Sequence, residues 1–317
     1  MARIMMDKCQ SYISLQEAFE AFIKKCKLKN LSKHSIHYYE ESFNYLCKVT
    51  DKTGSVSQLN ADSLQSLVRL LKPTMKDISI NTRLKGIRIF VNYCIEMGYI
   101  KQFKVQLIKA DTTVKTTYSE LELKTLLEKP NVKECQFTTL RTWTAINILI
   151  GTGCRIGSLQ ALKIKDINFE ESMIKFTKTK GRKQLLIPIS KHLNDVLKLY
   201  LQYRNGQPDD FLICNQYGEE IERNGLIHAI AKYNRSKGVL KTSCHLFRHT
   251  FAKHWIINNG DIFRLQKILG HEDIKVTQQY LKDFGSYNLQ DSFDKYNILE
   301  SVLSRDGKKR IYMKNSL

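Results

Sequence analysis

Apolar residues recur three and four positions apart along most of this 317-residue chain, and the spacing breaks down in two places. A period near 3.6 gathers such residues on one helix face, so most of the chain reads as helix and each break marks a change of architecture. The first break, "YIKQFKVQLIKADTTVKTT" (99–117), has no helical periodicity and reads as an extended linker. The second, "INFEESMIKFTKTKGRKQLLIPIS" (167–190), alternates and ends in a β-rich run with Lys-Gly at its turn, the pattern of two or three antiparallel strands. The expected class is therefore mainly α with a small antiparallel β-sheet. The expected division is a helical domain over 1–108, a linker over 109–117 and an α+β domain over 118–317.

Start and stop signals sharpen the first hundred residues. "SLQEAFEAFIKKCKL" (14–28) opens on a Ser cap and brings Leu15, Ala18, Phe19, Phe22 and Ile23 to one face. A second helix follows the cap Ser32, and a third is capped by Asn60 and halted before Pro73. The fourth, "SINTRLKGIRIFVNYCIEM", stops at Gly98. Four helices with short joins make a small bundle. Far downstream, "LQDSFDKYNILESVL" (289–303) spaces Leu289, Phe293, Ile298, Leu299 and Leu303 as an amphipathic helix that needs a surface to cover.

Composition narrows the function classes. No window holds 18 uninterrupted apolar residues, so no membrane span is expected. "MARIMMDKCQSY" lacks the apolar core of a signal peptide, which points to the cytoplasm. The eight cysteines form no C-x-x-C pair and no zinc or disulfide spacing, as suits a reducing compartment. The formal net charge of +20 attracts polyanions, and nucleic acid is the commonest. Residues 1–108 hold 17 Lys and Arg against 9 Asp and Glu, and the remainder 34 against 22, so both parts can face the same nucleic acid.

Four separated places supply one kind of chemistry. "GTGCRIGSL" sets Arg155 past a Gly-rich turn at a helix start, and "TKTKGRKQLLIP" sets Lys180 at the hairpin tip. "CHLFRHTFAKH" places His245 and Arg248 three apart on one helix face, and "LGHEDIKVTQQY" adds His271 and Tyr280. Singly each has an ordinary explanation: a tyrosine on an apolar helix face is usually core, and a hairpin lysine is usually solvated. Together they suit attack on a phosphodiester. Two guanidiniums can hold the non-bridging oxygens and stabilise the charge of a five-coordinate phosphorus. A tyrosine hydroxyl can attack covalently, while a histidine and a lysine handle the protons. No Asp/Glu cluster offers itself for magnesium, so a metal-free route without cofactor is the consistent one.

These residues resemble the tyrosine recombinases, the phage integrase family. "TGCRIGSLQALKIKDI" is similar to the family's first arginine box, and "HLFRHTFA" with "LGHEDIKVTQQYL" matches its C-terminal box nearly letter for letter. Lys180, eight residues before Pro188, stands where the family carries a hairpin lysine. The resemblance covers about residues 118–281 strongly, and the N-terminal bundle is similar in size and helix count to the family's core-binding domain.

The resemblance implies roles. Arg155 and Arg248 would clamp the phosphate, Lys180 would be the acid for the 5′-oxygen, His245 an acid/base near the phosphate and His271 a supporting donor. Tyr280 would form a 3′-phosphotyrosyl link and free a 5′-hydroxyl. The implied partner is double-stranded DNA, closed between the two domains. Lys33, His34 and Ser35 on the second helix would meet it, as would Asn81, Arg83, Lys85 and Arg88 on the fourth and Lys178, Arg182 and Lys183 on the hairpin. A tetramer on two DNA sites is implied, with the 289–303 helix docking on a neighbour or else in cis on its own chain, and there is room for accessory DNA-bending proteins of phage or host. One departure stands out: three residues after the first arginine the family usually has an acid, and here it is Ser158. A serine can hydrogen-bond but cannot balance charge. Another acid could substitute, or the chain could be a recombinase-fold DNA-binding regulator with little strand exchange. A type IB topoisomerase shares the chemistry, but the length and the C-terminal extension favour the recombinase.

Overall fold

The computed structural model describes residues 13–111, 116–179, 183–284 and 298–299. The chain divides into two compact units, Met1–Thr113 and Val114–Leu317.

In the first unit four helices form: α1 (Leu15–Leu28), α2 (Lys33–Leu46), α3 (Ala61–Leu71) and α4 (Asp77–Glu96). The Ser14 hydroxyl accepts from the Glu17 N–H while the Glu17 carboxylate accepts from the Ser14 N–H, a reciprocal cap on α1. Asn60 caps α3 by accepting from Asp62 and Ser63, and Gly98 takes the left-handed turn after α4 (φ 73°). Phe19, Phe22, Phe43 and Phe90 meet in the centre, with the Phe19 and Phe43 rings stacked 3.8 Å apart. Mid-helix Gly86 lets α4 lie against α2, because a Cβ there would fall 2.2 Å from the Ser42 hydroxyl. The segment after α4 has no regular structure but is not a loose tether. Ile100 and Val105 are buried in the bundle core, and the Asn81 side chain both donates to and accepts from the Ile108 backbone.

The second unit is built round α6 (Phe137–Thr152), which is buried on every side. Beside it are α5 (Glu120–Leu127), α7 (Ile156–Gln160), α8 (Lys191–Arg204) and α9 (Arg223–Ser236). The strands β1 (Ile167–Asn168), β2 (Met173–Phe176) and β3 (Leu185–Pro188) form one antiparallel sheet in the order β1-β2-β3. Ile174 pairs with Ile167 and Ile187, and Phe176 with Leu185, so alternate side chains enter the core. The unit continues through α10 (His245–Ile257), α11 (Ile262–Leu269) and α12 (Ile274–Phe284). These three enclose a separate apolar cluster of Ala252, Ile256, Leu265, Leu269, Tyr280 and Phe284. Among the described residues no helix is long and apolar enough to cross a membrane. The helix expected over 289–303 lies outside the described residues, apart from helical 298 and 299.

Candidate active site

Two turns carry the site. Helix α6 ends on Gly153 in the left-handed conformation (φ 63°), where a Cβ would meet the Phe251 ring at 2.6 Å. Glycine satisfies both demands, and the chain leaves that turn with Arg155 as the residue preceding α7. Helix α11 ends the same way on Gly270 (φ 61°), which delivers His271.

Arg248 is buried on α10. Its Nη1 donates to the Gly153 carbonyl (2.9 Å), and its Nη2 donates to the Leu269 carbonyl (2.8 Å) and lies 2.7 Å from His271 Nε2. Arg155 Nη1 donates to the same Leu269 carbonyl at 3.4 Å. Two guanidiniums from distant parts of the sequence thus converge on one carbonyl oxygen. Burial, then the neighbouring Arg155, pushes the Arg248 guanidinium down to about 10. Burial also pulls Arg155 below its ordinary value.

The histidines have distinct places. A guanidinium N–H can only donate, so His271 Nε2 accepts from Arg248. The neutral ring then carries its proton on Nδ1 and donates to the Thr277 hydroxyl, 2.8 Å away. In this arrangement His271 orients Arg248. His245 begins α10 and is held below the ordinary histidine value by burial and then by Arg248, Arg223 and Arg155. Tyr280 is both core and site. Its ring belongs to the α10–α12 cluster and is 3% exposed, while its hydroxyl lies 3.0 Å from His249 Nδ1. Burial raises the phenol above its usual value, against the opposing pull of Arg248 and Arg155.

A cleft of about 420 Å³ opens beside the arginines, lined by Arg155, Ser158, Thr179, Lys183, Arg248 and His271 among others. Among the described residues Glu272 is the one carboxylate lining it, and Lys267 lines it too. Ser158 therefore does share the cleft with Arg155, and an acid is present there from another part of the chain. Lys180 and Arg182 lie outside the described residues. Their neighbours Thr179 and Lys183 close the hairpin base, the Thr179 hydroxyl donating to the Lys183 carbonyl at 2.6 Å, and both line the cleft. Lys178 is exposed.

The candidates in the bundle separate into two groups. Lys33, His34 and Lys85 are exposed, and the Ser35 hydroxyl pairs with Ser32. Asn81 is buried on the Ile108 backbone, Arg88 donates to the Val105 carbonyl (2.7 Å), and Arg83 pairs with Glu41 (2.7 Å) over the Tyr45 ring. Asn81 and Arg88 thus hold the segment after α4, because its unpaired backbone groups need partners. Neither is retained among the residues we assign to DNA. Sequence reasoning missed His249, and Thr277 stood in the C-terminal box without being given a role. His249 follows His245 by one helical turn, a spacing that could have drawn attention to it.

Residues 117–285 match the model of the phage integrase family. The tyrosine recombinase XerC of Chlamydia caviae is 25% identical over 295 residues, covering 83% of this chain and 93% of that protein. The tyrosine recombinase XerA of Pyrococcus furiosus is 28% identical over 290 residues, covering 90% and 96%. A lambda integrase tetramer bound to a Holliday junction shares the fold, with a TM-score of 0.69, 14% identity, and coverage of 87% of this chain and 79% of that one.

Proposed function

The chain belongs to the phage integrase family, and from that premise we propose that it is a site-specific DNA recombinase that cuts and rejoins duplex DNA through a phosphotyrosyl intermediate. The observation that carries the reading is the convergence of Arg155 and Arg248 on the Leu269 carbonyl, with the Tyr280 ring stacked on His271, which itself accepts from Arg248. A phosphodiester is a ligand that suits such a cluster. Its non-bridging oxygens accept from both guanidiniums, and the charge that builds on phosphorus meets donors already in position. Because these are fixed cations, the phosphorane needs no metal to bear its charge. Tyr280 attacks phosphorus, the DNA leaves as a 5′-hydroxyl, and the covalent 3′-phosphotyrosine waits for the exchanging strand. Lys180 is assigned the proton for the 5′-oxygen and His245 a place beside the phosphate. Lys33, His34, Ser35, Arg83, Lys85, Lys178, Arg182 and Lys183 are assigned to the duplex, where contacts to phosphate position a protein without reading sequence.

Double-stranded DNA is the partner and the chain multimerises on it; we assign a tetramer on two sites and a cytoplasmic location. The test is covalent capture. DNA from the chain's own genomic neighbourhood is trapped on the protein, the bound ends are sequenced, and the site is rebuilt as a nicked duplex. Wild type should form an SDS-resistant adduct with or without EDTA, and Tyr280→Phe should bind yet form none. An adduct retained by Tyr280→Phe would show another nucleophile, and loss with EDTA would show a metal requirement. Tight binding with no adduct from wild type would leave a DNA-binding regulator.

A further inference from the structure

A phenol that attacks phosphorus must lose its proton, and the surroundings of Tyr280 limit where that proton can go. Its ring is packed among Ala252, Ile256, Leu265, Leu269 and Phe284, so the hydroxyl is the polar end of an otherwise apolar side chain. His249 Nδ1 lies 3.0 Å from that hydroxyl, with the two rings tilted at 55° and their centroids 5.6 Å apart. One turn earlier on α10, His245 stacks on His249 at 6.4 Å. The two imidazoles therefore form a short row, His245 towards the arginines that depress its protonation and His249 on the tyrosine.

We propose that His249 is a catalytic residue, whose Nδ1 holds the Tyr280 hydroxyl for attack and takes its proton as the oxygen bonds to phosphorus. This rests on the recombinase reading above. In the cleavage step the Tyr280 Oη–P bond forms and the P–O5′ bond breaks. The Oη proton passes to His249 Nδ1, and O5′ leaves with a proton from the acid assigned to Lys180. Rejoining runs the same transfers backwards, His249 returning the proton to the phenolate as it departs. Nδ1 must be the bare nitrogen at the start, so the neutral ring carries its proton on Nε2. Burial that raises the phenol makes a contacting acceptor more valuable, since water has little access to the hydroxyl.

His249→Asn and His249→Ala separate holding from proton transfer. The asparagine amide occupies the place of Nδ1 and can hold the hydroxyl, but it cannot accept a proton at neutral pH. Single-turnover adduct formation is measured on the nicked duplex, beside duplex affinity and melting temperature. Both variants should form adduct roughly 100-fold more slowly or worse. Affinity should stay within several-fold, Asn should melt as wild type does, and free imidazole should restore part of the Ala rate. An Asn variant as fast as wild type overturns the proton transfer, and a rate loss matched by losses of affinity and melting temperature in both variants shows a structural role instead. A wild type that forms no adduct ends the recombinase reading and this proposal together. In DNA-free protein with ¹⁵N-labelled histidine, the His249 Nδ1 resonance should move on Tyr280→Phe, and an unmoved resonance overturns the contact itself.

Discussion

Arg83 and Arg88 on α4 are basic residues on a basic protein, as are Arg155 and Arg248 at the cleft, but Arg83 faces a carboxylate while the cleft pair face each other. Arg83 has a carboxylate partner in Glu41 and a Tyr45 face beneath it, and Arg88 closes a backbone carbonyl. At the cleft, Arg248 donates to two carbonyls and a histidine, and Arg155 shares one of those carbonyls. Neutralised arginines stabilise a fold. Two like charges held together and partly dehydrated cost stability, and an anion that binds between them relieves the cost. The difference marks Arg83 as a charge the fold already balances, which weakens its pull on phosphate beside that of the cleft pair.

Removing a guanidinium at the cleft should give the largest effect. Arg155→Ala and Arg248→Ala should each cut the cleavage rate by roughly 10²–10³, the loss typical of one transition-state donor. Duplex affinity should hold within several-fold, because these are two charges among many phosphate contacts. Arg248→Lys, which keeps the charge but not the forked donors, controls for the buried site collapsing. Equal losses of affinity and rate would break the contrast by making the cleft an ordinary binding surface.

Adding a carboxylate to the cleft should have a smaller effect of the other sign. Ser158→Glu gives the cations the partner that Arg83 already has, and it should raise the cleavage rate up to about ten-fold, since groups orienting a site tune it by about 10–100-fold when removed. Cleavage rate and melting temperature are measured beside Ser158→Ala. A slower or less stable glutamate variant would mean that Glu272, already in the cleft, supplies the balancing charge.

The smallest effect belongs to the bundle. Arg83→Met should leave cleavage by bound protein unchanged and shift melting only slightly, as exposed pairs do. Its signature is in the pH dependence. The Arg83 hydrogen bond and charge hold the Glu41 carboxylate below its ordinary range. The pair therefore stabilises at pH values above the unfolded carboxylate value, and the contribution is lost as pH falls through the lowered folded value. A melting-temperature profile of Arg83→Met should flatten in that acid window and match wild type in shape above it.

Much of this is legible in the sequence, for local reasons. Ser14, Ser32 and Asn60 announced helix starts because a side-chain oxygen two or three residues from a bare N–H needs no distant partner. The alternation across 167–190 announced the sheet, and Arg155, His245, Arg248, His271 and Tyr280 could be picked out from spacing and family resemblance. The extended run after α4 was harder, because Ile100, Val105 and Ile108 are anchored by residues far back along α4.

By itself, the sequence determined the helices, the sheet, the positive charge and the inventory of reactive side chains, since each depends on residues within a turn or two of one another. Tertiary structure alone decided which cations meet a carboxylate and which meet one another among the described residues. It set Glu41 against Arg83, and it brought the carbonyls of Gly153 and Leu269 to Arg248 across long stretches of chain. It also placed His249, one turn after the expected site residue His245, 3.0 Å from the Tyr280 hydroxyl. The physical reason is that both histidines lie on one face of α10, and the packing of α12 against that helix decides which of them the hydroxyl meets.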